Sequence, residues 1–200
     1  VLRRLPLLFL PVLLSQCALV RPPSPVVRQP VFHVDQDRYD ALKPSHARIT
    51  IDLAAQKARL TDRSGDVALE TDVSTGKPGH DTPTGTFRIM EKIEDKRSNL
   101  YGRYKDSKSG LDLGSTLDHP KPPKDAIYEG YAMPYWMRLT HDGVGLHTGQ
   151  VVPGEPVSFG CVRVPATVQP LLFAKAQVGT RVEILAEASG EPVISQLPPR

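Results

Sequence analysis

Residues 144–165 read VGLHTGQVVPGEPVSFGCVRVP, and the fold can be worked out from them in both directions. An apolar alternation leads into His147, and Cys161 follows fourteen positions later. Gly149, Pro153, Gly154 and Pro156 lie between them and mark a loop, not a regular element. Upstream, MRLT (137–140), Asp142-Gly143 and VGLHT (144–148) spell strand, tight turn and strand. This hairpin puts His147 at the far end of its second strand. Downstream, Pro165 suits the first position of a helix, and Leu171, Leu172 and Ala176 recur at helical spacing before Gly179 stops the run. Pro170 inside that run would kink or break it.

Working further outward, RITIDL (48–53) alternates polar and apolar residues and predicts a half-buried strand. KARLTD (57–62) returns, Ser64-Gly65-Asp66 turns, and VALETDVS (67–74) continues an antiparallel meander. STGKPGHDTPTGTFRIM (74–90) opens as an irregular, Gly/Pro-punctuated connection, and TFRIMEKI (86–93) predicts one further strand. His80 and Asp81 in that connection read as turn residues before they read as an acid/base pair. TRVEIL (180–185) is a closing strand. Residues 94–110 are charged and lack apolar periodicity, which predicts an exposed excursion, and DHPKPPKD (118–125) predicts a second loop. Strands dominate and one helix is credible, so the class is mainly β in two packed layers, a sandwich or a barrel. Tyr128, Tyr131, Tyr135 and Trp136 suit a core, while Met133, Tyr135 and Trp136 also stand where they could wall a cleft before the histidine strand.

The flanks are of a different kind. Arg3 and Arg4 precede the apolar run Leu5–Leu14, which ends in Ser15-Gln16-Cys17, so residues 1–17 read as an export signal. The run is too short for a spanning helix, which needs about 20 apolar residues. Residues 18–46 begin with VRPPSPVVRQP (20–30), which reads as an extended Pro-rich linker; residues 47–187 form the domain, and residues 188–200 read as a disordered tail. The formal charge is +3, and without Arg3 and Arg4 only 23 basic residues face 22 acidic ones. No basic stripe with interleaved aromatics is present, which argues against nucleic acid as a partner. Cys17 belongs to the leader, so the domain carries the single thiol Cys161 and no internal disulfide.

A thiolate is the reactive form of cysteine, and a free thiol titrates near ~8.5, so activation has to come from neighbours. An imidazole such as His147 can take the proton and form a Cys–His ion pair. Amides at Gly160 and Cys161, where the chain turns, could hold an oxyanion. Thr148 could orient the ring through its hydroxyl or its carbonyl. Ser158 suits loop shaping, and Arg163 suits either a substrate carboxylate or a structural ion pair. By spacing alone, a buried cysteine beside a satisfied histidine remains open, as does a metal site built from His141, His147 and Cys161.

VSFGCVRVP (157–165) resembles the signature of L,D-transpeptidases of the YkuD type, and GLHTG (145–149) is similar to that family's upstream histidine segment. VSTGKPGHDTPTGTF (73–87) and MPYWMRLTHDGVGLHTG (133–149) are similar in the same order, so the likeness covers about residues 47–187. The resemblance implies a β-sandwich with one short helix after the cysteine. It implies Cys161 as nucleophile, His147 as general base, Thr148 as the residue that orients it and Gly160 in the oxyanion hole. Arg163 closes the signature; Ser158, Met133, Tyr135 and Trp136 are candidates for substrate contact. The implied substrate is the peptidoglycan stem peptide, with D-alanine released and an amine acylated, and no metal or organic cofactor is implied. LLSQC (13–17) resembles a bacterial lipoprotein signal, which implies membrane anchoring through a lipid on Cys17 and a place in the cell envelope. Gln16 departs from the small residue such signals carry there. Phe159 departs from the family's usual histidine. That departure keeps open a catalytically silent peptidoglycan-binding protein, and an L,D-carboxypeptidase that uses water as acceptor is a variant of the first reading.

Overall fold

A computed structural model describes residues 28–186. The expectations for residues 1–17, including Cys17, and for the tail 188–200 lie outside the described residues. Two sheets are packed face to face. The first contains β1 (Phe32–Val34), β2 (Arg48–Asp52), β3 (Lys57–Thr61), β4 (Val67–Asp72), β5 (Gly85–Arg88) and β11 (Arg181–Leu185), in the order β1-β4-β3-β2-β11-β5. The second contains β6 (Glu91–Asp106), β7 (Asp112–Ser115), β8 (Ala126–Arg138), β9 (Gly145–Thr148) and β10 (Val162–Val164), in the order β10-β9-β8-β6-β7. The class is therefore mainly β and the architecture a sandwich. Its core joins Ile49, Ile51, Leu60 and Leu69 of the first sheet to Met137, Leu146, Val162 and Val164 of the second. These are the inward members of alternating strands, whose polar neighbours face out.

The meander β2–β3–β4 and the hairpin β8–β9 form where the alternation predicts them. Three elements before the cysteine differ from expectation. TFRIMEKI is not one strand: Arg88 ends β5, and β6 starts at Glu91 in the other sheet. Buried Ile89 makes the crossover, its amide bonded to Thr180 O at 3.0 Å. The excursion at 94–110 is mostly β6, paired with β8 along its length. β6 itself is polar and mostly exposed or half-buried, so its pairing leaves no apolar alternation to read. Finally, residues 32–42 pack onto the domain although their composition suggests linker: β1 pairs with β4, and α1 (Gln36–Ala41), capped by Asp35, delivers Tyr39 and Leu42 to the core.

The helix after the cysteine, α2 (Gln169–Lys175), starts four residues later than Pro165 suggests. Pro170 falls in its first turn, where a missing N–H costs nothing, so it starts the helix instead of breaking it. Lys92 Nζ caps the other end by donating to Phe173 O at 2.6 Å and Ala176 O at 2.5 Å.

A bulge in β6 sets the position of one cavity wall. Arg97 pairs with Ala132 and Gly102 with Gly130, so five steps on β6 oppose two on β8. Ser98 Oγ accepts from the amides of Leu100 and Tyr101 at 3.2 and 2.9 Å, which holds the extra residues in a tight loop. The strands approach so closely there that a Cβ on Gly130 would lie 2.0 Å from Ser98 O. Gly130→Ala is expected to cost about 1–3 kcal/mol, the usual range for overpacking, as measured by urea unfolding.

Candidate active site

His147 and Cys161 are brought together by two short parallel strands. β9 carries His147, and β10 begins immediately after Cys161, with Leu146 opposite Val162 and His147 opposite Arg163. Residues two apart share a face of a strand, so Cys161 and Arg163 lie on the side of the sheet that His147 faces. All three line one cavity of about 410 Å³, walled also by Tyr131, Met133 and Phe159. A second cavity of about 470 Å³ also borders Cys161 and extends past Trp136, Arg138, His141 and Asp142. Met133, Phe159 and Cys161 border both.

The imidazole is held in one tautomer. His147 Nδ1 lies 2.8 Å from the carbonyl oxygen of Thr148 and, facing an acceptor, carries the proton. Nε2 is then left with its lone pair. Thr148 orients the ring through its backbone, since its own Oγ1 is buried without a partner among the described residues. Trp136, 2% exposed, sits with its ring 6.1 Å from the imidazole and is anchored by Nε1 to Glu91 at 3.1 Å. Burial pushes the His147 pKa down to about 4; the Thr148 carbonyl opposes that shift and the Arg163 charge adds to it. Burial likewise pushes the Cys161 thiol up, against the Gly145 amide and Arg163, which favour the thiolate. Burial of both groups therefore works against the Cys–His ion pair that residue types alone suggest.

The cysteine loop is fixed by the segment 74–82, which residue chemistry alone marks only as an irregular connection. Ser74 and Arg163 exchange backbone hydrogen bonds at 3.0 and 2.9 Å, and the Ser158 amide donates to Thr75 O at 2.9 Å. Thr82 Oγ1 donates to Gly160 O at 2.7 Å while accepting from the Gly76 amide at 2.8 Å. Ser158, 1% exposed, donates to Cys161 O at 2.5 Å and accepts from the Gly160 amide at 3.1 Å. Ser158 thus shapes the loop behind the thiol. Gly160 provides the left-handed turn, at φ +108°, but its N–H is committed to Ser158. Thr82, Ser74 and Gly76 carry no chemical signal in the sequence because they act by hydrogen bonds to and from the main chain, Thr82 through its hydroxyl, and not by reactive groups.

The remaining candidates divide. Arg163 is half-buried in the first cavity, its stem against Gly149, with His147 and Cys161 as its titratable neighbours. No structural ion pair holds it among the described residues. Met133 and Trp136 wall the cavities. Tyr135 does not: at φ +55° it turns away, its ring 5.4 Å from Phe173 of α2 and its carbonyl accepting from Gln169 at 2.7 Å. Among the described residues no group of three His, Cys, Asp or Glu side chains is placed to hold a metal ion, so His141, His147 and Cys161 do not form a ligand set.

Phe159 has its own surroundings. His80 meets its ring edge at 4.7 Å, Tyr101 from the β6 bulge lies at 5.1 Å, and Lys77 Nζ sits 4.1 Å above it. The ring ties the cysteine loop to the bulge by packing, where an imidazole would have offered hydrogen bonds. Phe159→Ala is expected to lose about 1–2 kcal/mol of stability in urea unfolding, from two aromatic contacts and one cation–π contact.

The family model for the L,D-transpeptidase catalytic domain, YkuD, matches residues 46–184. The chain belongs to this family. Among solved structures, the L,D-transpeptidase from Mycobacterium smegmatis is similar at 19% identity and TM-score 0.54, over 70% of this chain and 59% of that one. An L,D-transpeptidase from Stackebrandtia nassauensis is similar at 22% identity and TM-score 0.50, over 73% and 58%. A Cys-to-Ser mutant of the Enterococcus faecium L,D-transpeptidase is similar at 28% identity and TM-score 0.53, over 70% and 50%. The chain spans between half and three-fifths of the length of these structures. No curated protein sequence matches it.

Proposed function

We propose that this chain is a cysteine-dependent L,D-transpeptidase that acts on peptidoglycan stem peptides. The observation that carries the reading is the cavity shared by His147 and Cys161, with Nδ1 of the imidazole held by Thr148 O and Nε2 left to accept a proton. Nε2 takes the thiol proton as Sγ attacks the carbonyl between the third stem residue and the terminal D-alanine. The Cys161 amide, which has no partner among the described residues, is the oxyanion donor available at the loop; Gly160 contributes the turn and Ser158 its rigidity. As the C–N bond breaks, His147 returns the proton to the departing D-alanine amine, leaving a thioester. An acceptor amine then attacks the thioester, gives its proton to His147, and frees Cys161 as the thiol again.

Two cavities meeting at Cys161 support transfer over hydrolysis, because they offer separate room for donor and acceptor. Arg163, lacking a carboxylate partner among the described residues, suits a carboxylate of the stem. Purified protein is expected to release D-alanine from a tetrapeptide muropeptide and to form a cross-linked dimer. Release without any dimer or other acylated amine would mark the carboxypeptidase. No release from folded protein, with peptidoglycan still bound, would mark the silent binding protein. The same function requires export. No helix among the described residues is long and apolar enough to cross a membrane. A lipid on Cys17 would anchor the domain through the Pro-rich linker, and a fatty-acid probe should then label the protein but not Cys17→Ala.

A further inference from the structure

Three arginines form one transverse row on the outer face of the first sheet. Arg181 of β11 is the register partner of Arg48 on β2 and of Arg88 on β5. The residues that follow them, Ile49, Val182 and Ile89, are buried, so the arginines point the other way and are exposed. Arg63, from the turn between β3 and β4, joins them, with Nη2 donating to Ser45 O at 3.1 Å. With His46, the four guanidinium groups line a concavity of about 370 Å³ that no Asp or Glu lines. Among the described residues, the one carboxylate within 4.0 Å of any of the four is Glu183, at 3.5 Å from Arg181.

Like charges directly opposite on neighbouring strands destabilise a sheet. The chain as a whole is only +3, so four arginines in one hollow do not reflect a generally basic surface. Each guanidinium offers five N–H donors in a planar fork. Arg88 spends one on Gly179 O at 2.9 Å, Arg63 one on Ser45 O, and Arg181 Nη2 donates to Thr86 Oγ1 and Glu183 at 3.5 Å each, which leaves most of the donors for a ligand. A carboxylate has two oxygens and suits one fork, whereas a tetrahedral phosphate can accept from several. We propose that this row is a binding site for a phosphate group, on the opposite sheet from His147 and Cys161. It shares no lining residue with either cavity at Cys161.

The phosphate can belong to a soluble ligand or to a lipid headgroup, and two arms separate these sources. One titrates the protein with inorganic pyrophosphate by calorimetry. The other sediments it with vesicles of phosphatidylglycerol and phosphatidylcholine in about equal parts. Binding is expected in at least one arm, weakening as salt is raised. The double variant Arg48→Gln/Arg181→Gln, and separately Arg88→Gln, should weaken it by about tenfold or more. Pyrophosphate binding identifies a soluble phosphate ligand; vesicle binding alone identifies a headgroup. Because the replaced residues are exposed and repel one another, the ligand-free melting temperature of the double variant should equal or exceed that of the wild type. No binding in either arm, or binding that all the variants retain, would overturn the proposal.

Discussion

Cys161→Ala is expected to lower D-alanine release from a tetrapeptide muropeptide by at least about 10⁴-fold, the scale seen when a nucleophile is removed from a coupled catalytic group. Folding should survive, because Cys161 is only partly buried and its thiol makes weak contacts, 3.6 Å to Gly143 O and one to the Gly145 amide. The loop that presents it is held by Ser158, Thr82 and Ser74, all of which remain in the variant. A near-wild-type melting temperature with release abolished is the expected pair of results. A loss of release below about tenfold would mean that the thiol is not the nucleophile.

His147→Gln should reduce release by about 10²- to 10⁴-fold, the range for a general base. Its pH behaviour is more diagnostic. With a pKa of about 4, His147 is the neutral base throughout the range above that value. The acid limb of release should therefore fall near pH 4, not near the ordinary histidine value of about 6.5. Stability follows the same shift with a definite sign. Between about pH 6.5 and pH 4 the unfolded chain binds a proton here that the folded chain does not, so acidification favours unfolding. The drop from 6.5 to about 4 corresponds to about 3 kcal/mol lost by pH 4. Urea unfolding of wild type and His147→Gln at pH 7 and pH 4 isolates this contribution. The variant should lose less stability on acidification by about that amount.

The sequence reveals the parts of this fold in which one face meets the core. β2, β3 and the β8–β9 hairpin alternate because Ile49, Ile51, Leu60 and Leu146 have to be buried, and they are legible. β6 is not, because most of its length is polar and exposed or half-buried, and backbone hydrogen bonds, not apolar side chains, fix its register. Tyr39 and Leu42 are two apolar anchors in a polar stretch, too few to show against a Pro-rich neighbour. At the site, His147 and Cys161 stand out because their chemistry is distinctive. The 74–82 segment that holds the cysteine loop does not, since Ser74 and Gly76 serve it largely through main-chain groups. Tyr135 shows the converse: an aromatic beside the histidine strand suggests a cleft wall, yet a left-handed backbone turns its ring toward α2. Phe159 reads as a lost hydrogen bonder, and the structure adds what replaced it, a packed contact with His80, Tyr101 and Lys77.

The central claim, that Cys161 forms an acyl-enzyme, is tested most directly by intact-mass measurement after incubation with a carbapenem. The wild type should gain the mass of one carbapenem, mapped by peptide digestion to Cys161, and Cys161→Ala should gain none. No adduct on folded wild type, or an equal adduct on Cys161→Ala, would contradict it.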